Sequence, residues 1–150
     1  MLRPILAAAS LASLSLPAHA GNVTRQQSCQ LMAQHVAGIL ESRDWSAEAA
    51  PEIATLDAYA AVQADIITGE IADSAARMAV PVADIRAMVD TQGEQLKAAM
   101  ENRYGTEKLY RDYAVSLQGC ARLSPDRLGT TPETFVEMLQ SIGTWAQEGK

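Results

Sequence analysis

The chain contains two cysteines, Cys29 and Cys120, and their positions constrain the fold more than any other feature. Each lies on the apolar side of a segment with helical spacing, the first early in the chain and the second late. A bond between them would close a loop of about 90 residues, which stabilises a fold by about 4–5 kcal/mol in the chain-entropy description. The sequence therefore predicts a disulfide. A reactive thiol and two free buried thiols are the alternatives.

The first twenty residues have the order of a secretory signal peptide. A short positive start at Arg3 precedes an apolar stretch over residues 5–16, and Pro17 then breaks it. The sequence Ala18-His19-Ala20 is a small-x-small cleavage site. The apolar stretch is shorter than the roughly 20 residues of a membrane anchor. We therefore expect a signal peptide over residues 1–20 and export to the periplasm or the exterior of a bacterium.

Residues 21–150 are enough for one domain with its own core, and we expect a single helical domain. Lys and Arg number 12 against 18 Asp and Glu, and the predicted cleavage removes only Arg3, so the mature net charge is −7. An acidic chain without a basic cluster is poorly suited to binding phosphate groups, so nucleic acid is excluded as a partner. No second apolar stretch approaches spanning length, so no membrane span is expected after cleavage.

Apolar residues recur at helical spacing along the whole mature chain, and alternating strand patterns are nearly absent. The prediction is an all-α fold of about five helices in a single small bundle, with the disulfide between helix 1 and helix 4. Helix starts are expected at Thr24, Pro51, Pro81, Thr106 and Thr131-Pro132. Gly69 is expected to break the second helix, leaving a short extra helix after it, with one long bent helix as the alternative.

The spacing also predicts which side chains face the core. The inner face of helix 4 is predicted to carry Leu109, Tyr113, Leu117 and Cys120. The apolar side of the last helix is predicted to carry Phe135, Leu139, Ile142 and Trp145/Ala146. His35 falls beside the inner face of helix 1 and is interpreted as a boundary residue. Gly93 is expected to permit close packing of a neighbouring helix.

Motifs for catalysis, cofactors and metals are missing from the sequence. It has no glycine-rich phosphate loop, no His-Glu-x-x-His, no Gly-x-Ser-x-Gly and no Cys-x-x-Cys. We expect no cofactor, no metal and a chain that is not an enzyme. A small hydrolase remains a less favoured alternative, since it would need an acid and a base brought together from distant residues.

The densest polar and aromatic stretch lies between the third and fourth helices. Tyr104, Tyr110, Arg103 and Arg111 are the candidate interaction residues there, because Tyr and Arg are enriched at interface cores. Packing of the tyrosines at a helix junction is the alternative. Trp45 is a fifth candidate, as an exposed anchor for a partner or as a cover for one end of the core.

The leading hypothesis is an exported, non-enzymatic binding or interaction module whose partner is another exported protein. The alternative is a carrier of a small apolar ligand, held between helices whose methionines would line the cavity.

Native mass spectrometry of the unreduced protein, purified from the exported fraction, tests the processing and the disulfide together. We expect a chain that begins at Gly21 and lacks two thiol hydrogens. A mass that includes residues 1–20, or both thiol hydrogens, would contradict one prediction or the other.

Overall fold

The computed structural model describes residues 20–103, 106–123, 127 and 129–149. They form five α-helices and one short 3₁₀ turn, and no strand occurs among them. The all-α prediction with about five helices is therefore confirmed. The helices are α1 (Ala20–Glu41), α2 (Ala50–Met78), α3 (Val82–Arg103), α4 (Thr106–Ser116) and α5 (Pro132–Gln147), and the 3₁₀ turn covers Leu117–Cys120.

The main core lies between the second half of α1, the first half of α2, α4, the 3₁₀ turn and α5. Fully burying one large apolar side chain contributes about 1.5–3 kcal/mol, so this cluster is the chief source of stability. Its largest apolar members are Leu40, Leu56, Tyr59, Tyr110, Leu117, Phe135, Leu139 and Ile142. The predicted inner face of α5, namely Phe135, Leu139 and Ile142, is confirmed.

A second, smaller cluster joins the start of α1 to the far half of α2 and to α3. It consists of Val23, Ile67, Ile71, Ala75 and Ile85. Val23, near the start of α1, packs in this cluster against the end of α2. In the main core the end of α1 packs against the start of α2, so the two helices are antiparallel. Ile85 is the one fully buried side chain that is described in α3. This helix is therefore attached mainly through its first half.

The predicted break at Gly69 is wrong. The alternative, one long helix, is correct in that the helix is continuous. Helix α2 runs through Gly69 without interruption. Glycine in a helix interior costs about 1 kcal/mol relative to alanine. The buried side chains of Ile67 and Ile71 on either side offset that cost. The helix ends at Met78, and the next residue, Ala79, has a left-handed conformation with φ of 54°.

The predicted cap at Thr24 is also wrong, because α1 begins at Ala20 and Thr24 lies within it. Tertiary contacts hold the part of the helix around Thr24. Val23 is buried in the second cluster, and the Thr24 hydroxyl accepts a hydrogen bond from Gln92 Nε2 of α3 at 3.0 Å. The predicted signal peptide falls almost entirely on residues 1–19, which lie outside the described residues, and it stays a prediction.

The burial of the two tyrosines of α4 is the reverse of the prediction, which placed Tyr113 in the core and Tyr110 at the surface. Tyr110 is 1% exposed, whereas Tyr113 is half-buried. The reason is the 3₁₀ turn that follows α4, which winds more tightly than an α-helix. The tighter winding brings Cys120 onto the same face as Tyr110 and Leu117, and it leaves Tyr113 on the flank.

Helix α5 begins as its sequence predicts. The Thr131 hydroxyl accepts a hydrogen bond from the Thr134 backbone N–H at 3.2 Å, and Pro132 is the first helical residue. Proline loses nothing at this position, since the first N–H groups of a helix have no intrahelical partner.

Gly93 lies where α1 and α3 approach each other closely. A Cβ atom at this position would be 3.0 Å from Gln27 Nε2. The Gln27 side chain is nearly buried, and its Nε2 donates to the Val89 carbonyl of α3 at 2.8 Å. The expected role of Gly93 in close packing is therefore confirmed.

Alanine substitutions at Gly69 and Gly93 should differ in their effect on stability. A Cβ at Gly69 has no neighbour within 4 Å, so Gly69→Ala should raise the free energy of unfolding by about 0.5–1 kcal/mol. Gly93→Ala should be at least about 1 kcal/mol less stable than Gly69→Ala, because the added Cβ displaces the Gln27 amide and its hydrogen bond. Urea unfolding of both variants measures the difference, and equal gains in stability would contradict the close approach.

Candidate functional site

Cys29 and Cys120 form the predicted disulfide. Their Cα atoms are 5.9 Å apart, and the bond joins the first half of α1 to the 3₁₀ turn after α4. The two residues are 1% and 4% exposed, so the sulfur atoms are shielded from thiol reagents. This burial assigns the cysteines a structural role in the main core.

Three side chains from α1 and α2 donate hydrogen bonds to the backbone around Cys120. These bonds hold the 3₁₀ turn and the residues after it against α1 and α2, in addition to the bond that the Cys120 carbonyl accepts from the Leu123 N–H at 2.9 Å. The bonds run from Arg25 Nη2 to the Gly119 carbonyl at 3.3 Å, from Tyr59 Oη to the Cys120 carbonyl at 3.1 Å, and from Gln63 Nε2 to the Leu123 carbonyl at 3.4 Å.

Tyr59 is the central member of this group. Its side chain is fully buried, and its ring stacks on Phe135 with the ring centroids 4.9 Å apart. Burial raises the pKa of the Tyr59 hydroxyl well above its usual value of 10, while the positive charge of Arg25 acts weakly in the opposite direction. Tyr59 is therefore a neutral donor that fixes the backbone next to the disulfide.

The two tryptophans of the chain meet at the end of the bundle where α1 is connected to α2. The rings of Trp45 and Trp145 are arranged edge to face, with centroids 5.6 Å apart and planes at 74°. Trp45 belongs to the connection between α1 and α2, and Trp145 to the last turn of α5. Both are half-buried and pack against the main core, so each keeps part of its ring at the surface.

Contacts of α4 with α1 and with the turn that follows α1 lead to the same end of the bundle. The guanidinium carbon of Arg43 lies 5.7 Å from the centre of the Tyr110 ring, within the range of a cation–π interaction. Nearer the disulfide, His35 and Tyr113 make an edge-to-face contact at 5.3 Å. We call the group of Arg43, Trp45, Tyr110 and Trp145 the aromatic end.

The candidate residues taken from the sequence have different positions. Tyr110 is part of the core, so its ring offers almost no surface to a partner. Tyr104 and the side chain of Arg103 lie outside the described residues. Arg111 is exposed, with its Nε 3.7 Å from Asp112 Oδ1, and an exposed ion pair of this kind contributes little to stability.

Trp45 packs against the main core, covers one end of it and keeps part of its ring at the surface, and its contact with Trp145 was not predicted. The sequence placed Trp145 on the apolar side of the last helix without relating it to Trp45. Because aromatic pairs on separate elements depend on tertiary packing, spacing along the chain carries no signal for this contact. That Trp45 and Trp145 are the only tryptophans was the one available hint.

A second exposed apolar group lies at the opposite end of α2, where it turns into α3. Met78, Val82 and Met88 are 57%, 46% and 64% exposed. Nearby charges include both signs, since Arg77 and Arg86 lie among Asp73 and Asp84. This group is the apolar tip, and it provides a comparison surface for the aromatic end.

The described part of the chain also bears on metal binding and on membrane insertion. No three His, Cys, Asp or Glu side chains within it gather into a group that could hold a metal ion. None of its helices combines the length and apolarity needed to cross a bilayer.

Comparison of the chain with protein-family models, with curated proteins and with solved structures finds no significant match. Function is therefore inferred from the residues of the chain itself.

Replacing Tyr59 by Phe should change the pH dependence of stability. A pKa that is raised on folding contributes stability that is present below the unfolded pKa and is lost as pH rises above it. Wild-type protein should thus lose about 1 kcal/mol from this tyrosine between pH 9 and pH 11. Tyr59→Phe should cost about 1 kcal/mol at pH 7, from the lost hydrogen bond, and should lack this alkaline loss. Urea unfolding at the three pH values measures both effects, and parallel curves for the two proteins would contradict the assignment.

Proposed function

We propose that the mature chain is an exported, non-enzymatic helical protein that binds another exported protein through its aromatic end. The observation that carries the proposal is the Trp45–Trp145 pair, built from two separate elements and left half-exposed. The buried disulfide supports the export part, because such bonds persist in oxidising compartments.

The tryptophan pair has the properties of an interface anchor. Tryptophan is among the residues that contribute most to binding energy, and each ring brings a large apolar area together with an N–H donor. Because both rings already pack against the core and against each other, little side-chain freedom remains to be lost on binding. A surface ordered in this way before binding loses less free energy to ordering than a flexible one.

The support beneath the pair is equally well ordered. Trp45 follows two residues after Arg43, whose guanidinium lies over the buried Tyr110 ring of α4. Tyr110 and Cys120 lie on one face, and the disulfide fixes that face against α1. The connection around Trp45 also contains hydrogen-bonded turns, such as Glu48 N–H to the Trp45 carbonyl at 2.9 Å.

The carrier alternative has less support from the side chains that it invokes. Methionines were expected to line a cavity between helices. Met32, Met100 and Met138 are half-buried, and Met78 and Met88 are exposed. Met32 and Met138 pack against the main core, so they are explained as core residues, and the two exposed methionines line no space between helices.

Substitution of Trp145 by Ala tests the proposal. Wild-type protein immobilised without reduction should enrich a specific polypeptide from the exported fraction of the source cells. Trp145→Ala should lower that enrichment at least about tenfold, as expected for a residue at the centre of an interface. Met88→Ala removes an exposed apolar side chain from the apolar tip and is the matched control.

The thermal midpoint of each variant should be measured first, so that only folded protein is compared. Equal capture by Trp145→Ala and Met88→Ala would remove the aromatic end as the binding surface. Trp45→Ala, which alters the other half of the pair, should reproduce the loss seen with Trp145→Ala.

A further inference from the structure

We infer that the aromatic end binds a basic partner, namely a Lys- or Arg-rich segment of an exported polypeptide. The inference rests on the proposed function and adds to it the chemistry of the partner. It rests on the charges around the two tryptophans. These charges are mostly negative, so they would attract a basic partner and repel an acidic one.

Exposed carboxylates flank both tryptophans. Four of them lie within four residues of Trp45 or Trp145 along the chain, and all four are exposed: Glu41, Asp44, Glu48 and Glu148. Among the described residues of the stretches 41–49 and 141–149, Arg43 is the one basic residue, and its guanidinium lies over the Tyr110 ring. Arg111, next to Tyr110, is also exposed, and its Nε lies 3.7 Å from Asp112 Oδ1. We call the four carboxylates the acidic rim, and together with Arg43 they give the sequence around the tryptophans a net negative charge.

Glu52 adds a fifth carboxylate at this end, in the first turn of α2. Its Oε2 atom is shielded from solvent and has no hydrogen-bond partner among the described residues. Glu52 is half-buried and adds to the acidic residues that follow Trp45 along the chain.

A basic segment would complement both parts of the aromatic end. Its Lys or Arg side chains would approach the carboxylates of the rim, and complementary charge raises the rate of association and selects the partner. A guanidinium or ammonium group would also stack on the exposed ring area of Trp45 or Trp145, where cation–π contacts contribute about 0.5–2 kcal/mol. The net charge of −7 expected for the mature chain acts in the same direction.

The apolar tip lacks this preference. Its exposed side chains Met78, Val82 and Met88 lie among charges of both signs. Both ends expose apolar side chains, so apolar area does not distinguish them. The acidic rim is present only at the aromatic end and therefore distinguishes it from the apolar tip. This difference makes the apolar tip a suitable control.

Intrinsic fluorescence offers a direct test, because Trp45 and Trp145 are the only tryptophans of the chain. The full exported protein is titrated with two short synthetic peptides that lack tryptophan and share length and apolar content. One peptide is rich in Lys and the other in Glu. We expect only the Lys-rich peptide to shift the emission saturably, and its Kd to rise roughly tenfold between low and high salt as the charges are screened.

A charge-neutralised variant locates the effect. Glu41→Gln combined with Asp44→Asn and Glu48→Gln should raise the Kd for the Lys-rich peptide roughly tenfold. The matched control combines Asp73→Asn, Asp84→Asn and Asp90→Asn near the apolar tip and should leave the Kd within about twofold. Circular dichroism and thermal unfolding establish that both variants are folded.

In these titrations the inference would be overturned by equal binding of the two peptides, by an emission that neither peptide changes, or by the same loss of affinity in both charge variants. None of these removes the proposed function, which fails only if Trp145→Ala still captures the partner from the exported fraction. A captured partner whose contact segment is acidic would likewise overturn the inference and leave the proposed function in place.

Discussion

The bond between Cys29 and Cys120 is the constraint on which the rest of the molecule depends. It closes a loop of 91 residues, and the lost freedom of the unfolded chain corresponds to about 4–5 kcal/mol in the chain-entropy description. It also sets α4 against α1 in one register. With the sulfur atoms joined, His35 meets Tyr113, and Arg43 reaches the Tyr110 ring at the far end of the same pair of helices.

Around this bond the bundle divides into two unequal parts. The main core contains the disulfide, α4, α5 and the aromatic end, whereas α3 is attached to the second cluster chiefly through Ile85. Regions with few buried apolar contacts open at lower free energy than the core. The aromatic end is thus built on the firmer part of the molecule, where a binding surface gains from being ordered in advance.

Local signals predicted much of this fold, and tertiary contacts account for the rest. Short-range patterns correctly predicted the cap at Thr131, the apolar face of α5 and the disulfide. Helix α2 passes through Gly69 because burial of its neighbours outweighs a local propensity. The sequence identified one residue of the candidate site, Trp45. Its pairing with Trp145 depends on how α5 packs against the rest, which spacing along the chain does not encode.

The position of the disulfide along the chain has a consequence for proteolysis. Helix α3 and the turn at Ala79, where the chain is exposed, lie between Cys29 and Cys120 in sequence. A protease that cuts once in this region would produce two fragments, each carrying one cysteine of the bond. The fragments would remain one covalent molecule, with the main core and both tryptophans still joined. A nicked copy would thus keep its original size until the disulfide is reduced.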